Sequence, residues 1–205
     1  MVPAMPNQPD PTSPLPRRGN AFTRWLGRTT LRLLGWRTEG SFPDRSHLVV
    51  IAAPHSSGWD FVIGIAFMMA MGVRVRFIGK TELFRGPLGW LLRSMGGVPV
   101  DRANPEGIID QVVGEFARTA GMVLGLAPEG TRRHGARWKT GFYRIAAKAR
   151  VPIVPGFFDW SRKTVGLLPA FEPTGDMPMD IAAIQGLYTA FTRRDGLAIA
   201  PGARP

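Results

Sequence analysis

Hydrophobic positions along the chain follow two periods, one typical of buried strands and the other of helices. Residues 47–53 are rich in β-branched side chains and predict a strand, and residues 57–71 predict a helix that begins at Ser56 or Ser57. Further strands are expected at 73–78, 98–100, 122–127 and 152–158, and further helices at 87–95, 105–119, 141–149 and 179–191. Residues 163–168 are expected to form a hairpin with the last of these strands. This alternation predicts an α/β fold, a single domain with a mainly parallel central sheet flanked by helices.

An amphipathic helix is predicted in residues 20–40, before the first strand. One side of it carries Phe22, Trp25, Leu26, Leu33 and Trp36, and the flank carries Arg24, Arg28 and Arg32. Basic helices that contain tryptophan bind at the boundary between lipid headgroups and acyl chains. We therefore expect a membrane-interface helix; the alternative is a helix packed on the domain with its arginines in water.

The rest of the chain divides around this helix. Residues 1–19 are rich in proline and polar side chains, and we expect a disordered tail there. Residues 41–205 are expected to form one catalytic domain. The longest nearly uncharged stretch, residues 61–73, is shorter than the about 20 residues that a membrane-spanning helix needs. We therefore expect a peripheral membrane protein, located on the cytoplasmic face of the membrane.

Composition narrows the function classes. The 205 residues include 26 Lys and Arg against 15 Asp and Glu, a formal net charge of +11, which indicates a polyanionic partner such as nucleic acid, anionic lipid or a phosphorylated substrate. The chain has no cysteine, which excludes disulfides, cysteine-ligated zinc and thiol nucleophiles. A basic nucleic-acid-binding protein is the weaker alternative, because the sequence has no helix-turn-helix and no aromatic RNA-binding platform.

The loop after the first strand of the domain contains a histidine and an aspartate five residues apart, His55 and Asp60. With Ser57 as the N-cap of the following helix, Asp60 falls at the third helical position and its carboxylate turns back towards the imidazole. A carboxylate that orients an imidazole makes it a general base towards a hydroxyl. The alternatives are a capped helix without catalytic role, or a nucleophilic Ser56 or Ser57; the sequence contains no G-x-S-x-G motif that would favour the nucleophile.

A second group of polar residues follows the strand at 122–127. Its members are Glu129, Gly130, Thr131 and Arg132, and three further cations, Lys80, Arg102 and Lys139, follow other predicted elements. Guanidinium groups suit bidentate contact with phosphate, and a glycine permits close approach of the backbone. The sequence therefore predicts that these residues line a pocket that binds an anion, although each cation by itself is equally typical of a solvated surface.

Taken together, these loops resemble the glycerolipid acyltransferase family, of the lysophosphatidic acid acyltransferase type. The family block H-x-x-x-x-D is similar to residues 55–60, G-x-x-F-I-D-R to residues 96–102, E-G-T-R to residues 129–132, and V-P-I-V-P to residues 151–155. Pro99 replaces the aromatic residue of the second block, and Ala127 stands where an aromatic residue often precedes P-E-G. The order and spacing agree over residues 47–158, about half of the chain.

The resemblance implies that His55 is the general base and that Asp60 orients it. It implies that Arg102, Thr131 and Arg132 bind the phosphate of the acceptor and that Glu129 supports the site. The donor would be acyl-CoA or acyl carrier protein and the acceptor a lysophospholipid, 1-acyl-glycerol-3-phosphate in the first place, with no metal and no cofactor. The alternatives are an acceptor without phosphate, such as an amino-acid lipid or a sugar, and a hydrolase in which water replaces the acceptor.

Overall fold

A computed structural model describes residue 9 and residues 12–100, 105–130 and 137–197 of the chain. The helices are α1 Ala21–Leu33, α2 Gly58–Met71, α3 Gly86–Ser94, α4 Pro105–Arg118, α5 Gly141–Ala149 and α6 Met177–Gly186, with a 3-10 turn at Thr81–Phe84. The strands are β1 Arg37–Glu39, β2 His47–Ala53, β3 Val75–Lys80, β4 Gly97–Val100, β5 Met122–Leu126, β6 Ile153–Asp159 and β7 Thr164–Leu167.

The strands form one seven-stranded sheet in the order β1-β7-β6-β2-β5-β3-β4. The pairs from β6 to β4 across the sheet are all parallel, while β7 returns antiparallel to β6 and β1 runs parallel to β7. The prediction of a mainly parallel α/β sheet and the prediction of a hairpin after β6 are both confirmed. The carboxyl ends of β2, β3, β4, β5 and β6 consequently lie along one edge.

Helices cover both faces of the sheet because the strand side chains alternate between two apolar cores. On one face Val49, Ile51 and Ala53 pack with residues of α4, α5 and α6. On the other face Leu48 packs with α2 and with Leu31 of α1. The helix α2 is therefore held close against the sheet, next to the edge where the parallel strands end.

The N-terminal helix packs on the domain and also exposes apolar side chains. Gly27 and Leu31 face α2, whereas Phe22, Trp25 and Leu33 are exposed. Trp36 departs from the prediction: it lies beyond the end of α1 and is buried, with its ring against Trp160. The helix ends early because Gly35 has a positive φ and turns the chain out of α1; residues 37–39 then form β1, a strand that was not predicted.

Part of the expected tail also packs on the domain. Leu15 is buried in the core, and the backbone around Pro16 and Arg18 is hydrogen-bonded to the segment between α2 and β3. Residues 15–18, which were expected to belong to the tail, therefore pack on the domain. Within the described residues, none of the helices combines the length and the apolar character needed to cross a bilayer.

Two further boundaries differ from the predictions. The strand expected at residues 73–78 is found at 75–80, because Gly72 ends α2 in the left-handed conformation and the chain needs two more residues to reach the sheet. The helix expected at 179–191 ends at Gly186, and the residues after it turn so that Tyr188 and Phe191 enter the core.

The close crossing of α1 and α2 gives a test of how α1 is held. A Cβ atom added to Gly27 would lie 2.5 Å from the carbonyl oxygen of Ala66 and 2.6 Å from the amide nitrogen of Ala70. We expect Gly27→Ala to lower the free energy of unfolding by about 1–3 kcal/mol, since backbone atoms cannot move aside cheaply. Gly186→Ala at the end of α6, where nothing lies within 4 Å, is the matched control and should change it by less than about 0.5 kcal/mol. Urea denaturation measures both; equal values would contradict this packing.

Candidate active site

Three connecting segments meet at the carboxyl edge of the sheet. Residues 54–57 follow β2, residues 127–130 follow β5, and residues 160–163 follow β6. The central strand β2 pairs with both β5 and β6 in parallel, so the three segments are neighbours in space although they are far apart in sequence. His55 and Glu129 are brought together in this way.

The start of α2 has the predicted capping geometry. Ser57 is the N-cap and Asp60 is the third helical residue. The side chain of Ser57 accepts a hydrogen bond from the backbone N–H of Asp60, and the side chain of Asp60 accepts one from the backbone N–H of Ser57, which together form a capping box. Oδ2 of Asp60 accepts hydrogen bonds from the amides of Ser56 and Ser57, both at 2.6 Å. Oδ1 accepts a hydrogen bond from the indole N–H of Trp160 at 2.8 Å. Asp60 is fully buried, and these donors fix the orientation of its carboxylate.

The imidazole of His55 lies next to this carboxylate. Nδ1 of His55 is 3.8 Å from Oδ2 of Asp60, so the two groups are adjacent but farther apart than a hydrogen bond. The side chain of His55 is 27% exposed, whereas that of Asp60 is not exposed at all. Bonds of this kind are often long in the absence of substrate and shorten when it binds. The arrangement has the geometry of an accessible base beside a buried carboxylate that orients it.

Glu129 links the second predicted motif to the histidine loop. Its Oε1 accepts a hydrogen bond from the backbone amide of His55 at 3.4 Å, and its Oε2 finds no hydrogen-bond partner among the residues that the structure describes. Burial raises the pKa of Glu129 to about 7, against the opposing influence of the His55 amide and the positive charge of Arg193. Glu129 thus supports the back of the loop and carries a carboxyl group that titrates near neutral pH.

Sequence reasoning missed two residues of this site, Trp160 and Arg194. The guanidinium of Arg194 lies 5.2 Å above the ring of Trp160 and donates to Oγ of Ser57 at 3.0 Å. The backbone N–H of Arg194 donates to Oγ of Ser56 at 3.2 Å. Trp160 directly follows the strand of the V-P-I-V-P block, and the residue after a parallel strand is a candidate for a binding site. Nothing in the sequence around Arg194 pointed to the site.

An apolar cavity of about 210 Å³ opens beside His55 and Asp60. It lies between α2 and the sheet; its walls include Phe61, Ile65, Met68, Phe77, Phe158 and Leu167. Gly64, Gly125 and Gly156 also line it, and their missing side chains leave room next to Phe158, Val75 and the backbone of Ile51. A narrow apolar chamber with one polar end suits a ligand that has a hydrocarbon chain and a reactive group at one end.

The other predicted binding residues are distributed around the end of β5. The structure places Gly130 at a positive φ, and the stem of Lys139 lies next to it, with Cε 3.0 Å from where a Cβ of residue 130 would stand. Lys139 lines a second cavity of about 330 Å³, which shares Ile78, Leu126 and Ala127 with the first. Lys80 is the last residue of β3 at the same edge of the sheet. Arg102, Thr131 and Arg132 lie outside the described residues.

The family model described as Acyltransferase matches residues 37–158, more than half of the chain. Among the curated proteins, a chloroplastic 1-acyl-sn-glycerol-3-phosphate acyltransferase of Brassica napus is 33% identical over 121 residues, which cover 56% of this chain and 34% of that protein. The 1-acyl-sn-glycerol-3-phosphate acyltransferase of Streptococcus pneumoniae is 28% identical over 167 residues, which cover 75% of this chain and 61% of that protein. The chain thus spans about a third to three fifths of the length of these relatives.

A solved structure shows the same fold. The crystal structure of the 1-acyl-sn-glycerophosphate acyltransferase PlsC from Thermotoga maritima matches with a TM-score of 0.56 at 19% identity. The match covers 81% of this chain and 75% of that chain. It supports the α/β architecture independently of the sequence motifs.

The raised pKa of Glu129 makes a prediction about stability and pH. The unfolded carboxyl group releases its proton near pH 4.5 and the folded one near pH 7, so the free energy of unfolding falls as pH rises through this interval. Glu129→Gln removes the titration. Compared with the unaltered chain, the variant should gain on the order of 3 kcal/mol between pH 4 and pH 8. Urea denaturation of both proteins at the two pH values measures the gain; a difference independent of pH would show that Glu129 ionises normally.

Proposed function

The chain belongs to the Acyltransferase family, and on this premise we propose that it transfers a fatty acyl group from acyl-CoA or acyl carrier protein to a hydroxyl of a lysophospholipid-type acceptor. The acceptor we propose first is 1-acyl-glycerol-3-phosphate, the substrate named for the relatives in Brassica napus and Streptococcus pneumoniae. The observation that carries the proposal is the position of His55 and Asp60 at the polar end of an apolar cavity.

The reaction follows from the orientation of the imidazole. Nδ1 of His55 faces Asp60, which leaves Nε2 to take the proton of the acceptor hydroxyl as its oxygen attacks the thioester carbonyl. The carbon–sulfur bond then breaks, and the carrier leaves as a thiol after the proton returns from the imidazolium to sulfur. The buried carboxylate of Asp60 stabilises the imidazolium in between. A thioester is already activated, so this sequence of steps requires no metal and no cofactor.

The cavity beside His55 supports a lipid substrate. Its walls are apolar apart from the His55 and Asp60 end, so an acyl chain would bury hydrocarbon there while its carbonyl or hydroxyl end stays near the imidazole. We propose that this chamber binds a fatty acyl chain. The cations at the strand ends would then bind the phosphate of the acceptor; they are Lys80, Arg102, Arg132 and Lys139, with Thr131 adding a hydroxyl. Glu129 and Gly130, which directly precede Thr131 and Arg132 in the chain, would support this site.

The roles of His55 and Asp60 are tested by substitution. His55→Ala removes the base and Asp60→Asn removes the charge that orients it, and we expect each to lower kcat by roughly 10² or more. His47→Gln is the matched control, because His47 begins β2 at the opposite end of the sheet and its ring is bound to Ser46 and to the carbonyl of Thr119. It should leave kcat unchanged. Steady-state assays with labelled acyl donor measure all three; a fully active His55→Ala enzyme would refute the mechanism.

The acceptor is identified by the same assay with a panel of acceptors. Lysophosphatidic acid, other lysophospholipids, an amino-acid lipid and a sugar are offered in turn with acyl-CoA or acyl carrier protein. Product that depends on an added phosphate-bearing lysolipid supports the proposal, and product with a phosphate-free acceptor supports the alternative. Release of free fatty acid without any acceptor identifies a hydrolase.

We further propose that the chain meets an anionic membrane surface, through α1 and also through α3. Phe22, Trp25 and Leu33 of α1 are exposed, and the same helix carries several arginines. On α3, Leu88 is 55% exposed and Trp90 is 74% exposed. Arg18, which precedes α1, donates to the carbonyl of Ser94 at the end of α3, so the start of α1 lies near the end of α3. Apolar side chains beside arginines are typical of contact with anionic headgroups, which are enriched on the cytoplasmic face.

Vesicle sedimentation tests this surface. The triple variant Phe22→Ser, Trp25→Ser, Trp90→Ser loses exposed apolar area, and we expect it to bind vesicles of phosphatidylglycerol and phosphatidylcholine at least about tenfold more weakly. Met179→Ser is the matched control, since Met179 is 70% exposed but lies on α6, away from both helices. Equal binding of the triple variant and the unaltered chain would remove these helices from the membrane contact.

A further inference from the structure

We propose that Trp160 is a positioning residue for Asp60, and that Arg194 holds Trp160 in place. The inference rests on the proposed roles of His55 and Asp60. Its core is one contact: the indole N–H of Trp160 donates to Oδ1 of a fully buried carboxylate at 2.8 Å.

The two oxygens of Asp60 are held from different sides. The amides of Ser56 and Ser57 and, at 3.3 Å, the hydroxyl of Ser56 all donate to Oδ2, the oxygen that faces His55. Oδ1 is held by Trp160. The terminal torsion of an aspartate is broad and roughly two-fold, so donors on one oxygen alone leave the carboxylate plane loosely defined. The indole removes this freedom and keeps Oδ2 directed at the imidazole.

An indole is suited to this task because its N–H is a donor only. It hydrogen-bonds to the ionised carboxylate without competing for the proton that His55 exchanges with substrate. Hydrogen bonds to a charged group are roughly twice as strong as those between neutral groups. Trp160 therefore both orients Asp60 and satisfies a buried negative charge.

Trp160 is itself fixed from three directions. The ring of Trp36 meets it edge-on, with centroids 5.0 Å apart and an interplanar angle of 88°. The guanidinium of Arg194 lies over it and also donates to Oγ of Ser57, the N-cap of α2. The backbone amide of Trp160 donates to the carbonyl of Thr192 at 3.0 Å. The segment around residue 194 thus closes over both the indole and the loop that the indole supports.

Trp160 and Arg194 both lie outside residues 37–158, the part of the chain that the family model matches. The block that contains His55 and Asp60 lies inside it. The donor to Oδ1 of Asp60 and the groups that hold this donor therefore come in part from the β6–β7 turn and the C-terminal segment. A truncation before residue 192 would remove Arg194 and the carbonyl of Thr192, two of the contacts that hold Trp160, while leaving the matched motifs intact.

Substitution of the indole tests the proposal by kinetics. Trp160→Phe keeps an aromatic ring but removes the N–H, and we expect kcat to fall about tenfold while KM changes less than about twofold. Arg194→Met should lower kcat in the same direction by a smaller factor. Trp36→Phe is the matched control: a phenyl ring keeps an aromatic edge against Trp160, and Trp36 makes no hydrogen bond to Asp60, so kcat should stay within about twofold of the unaltered value. Unchanged kcat in Trp160→Phe, or an equal loss in Trp36→Phe, would overturn the proposal.

A double-mutant cycle separates positioning from general support. If Trp160 acts through Asp60, Trp160→Phe added to Asp60→Asn should cause no further loss of the residual rate. A further tenfold loss in that background would show that the indole acts by another route. Melting temperatures measured alongside distinguish a loss of folded protein from a loss of rate.

Hydrogen–deuterium exchange of the full chain tests the contact without any substrate. Trp160→Phe should increase exchange in the peptide that contains residues 54–60 and Trp36→Phe should not, because only the first change removes a donor from Asp60. The same result is expected even if the chain proves inactive with every acceptor in the panel, so failure of the proposed function and failure of this inference are distinguishable. Unchanged exchange in Trp160→Phe would contradict the contact.

Discussion

The buried charge of Asp60 is the constraint on which the site depends. A carboxylate removed from water is costly unless donors surround it, and this one is satisfied by two loop amides and an indole. To supply those amides, residues 56 and 57 must turn back over the first turn of α2. That turn places His55 at the mouth of the cavity with Nδ1 towards Asp60. One requirement of electrostatics thus determines the loop shape, the start of the helix and the ring nitrogen of His55 that faces the carboxylate.

The direction of the strands in the parallel sheet positions the rest of the site. Strands that run in the same direction end at the same edge, so β2 and β5 deliver the histidine and the glutamate side by side. Their contact is made through the backbone of His55, and the side chain of Glu129 is buried, which raises its pKa to about 7. A carboxyl group held in this way responds to pH near neutrality while the imidazole remains open to substrate.

The helix α2 serves both the inside and the outside of the molecule. Its first turn carries Asp60, its inner face forms one wall of the apolar chamber through Phe61, Ile65 and Met68, and Gly27 of α1 packs closely against its far end. The helix α1, with its exposed aromatic residues, therefore packs on the same helix that contains Asp60. A membrane contact at α1 and α3 would bring lipid substrates close to the chamber they are proposed to enter.

The sequence by itself determined the order of the helices and of the strands other than β1, the capping box at Ser57 and Asp60, and the motifs that predicted the family, because these depend on local periodicity and on residues a few positions apart. The family resemblance also implied that His55 and Glu129 belong to one site. Only the tertiary structure decided that Trp160 and Arg194 reach the start of α2 and the loop before it. Their contacts join residues 100 and 137 positions apart in the chain, and no local pattern encodes which distant side chain fills the last position around a buried charge. The burial of Trp36 also depends on the tertiary structure, because Trp36 directly precedes strand β1 and lies in the core rather than on the surface of α1.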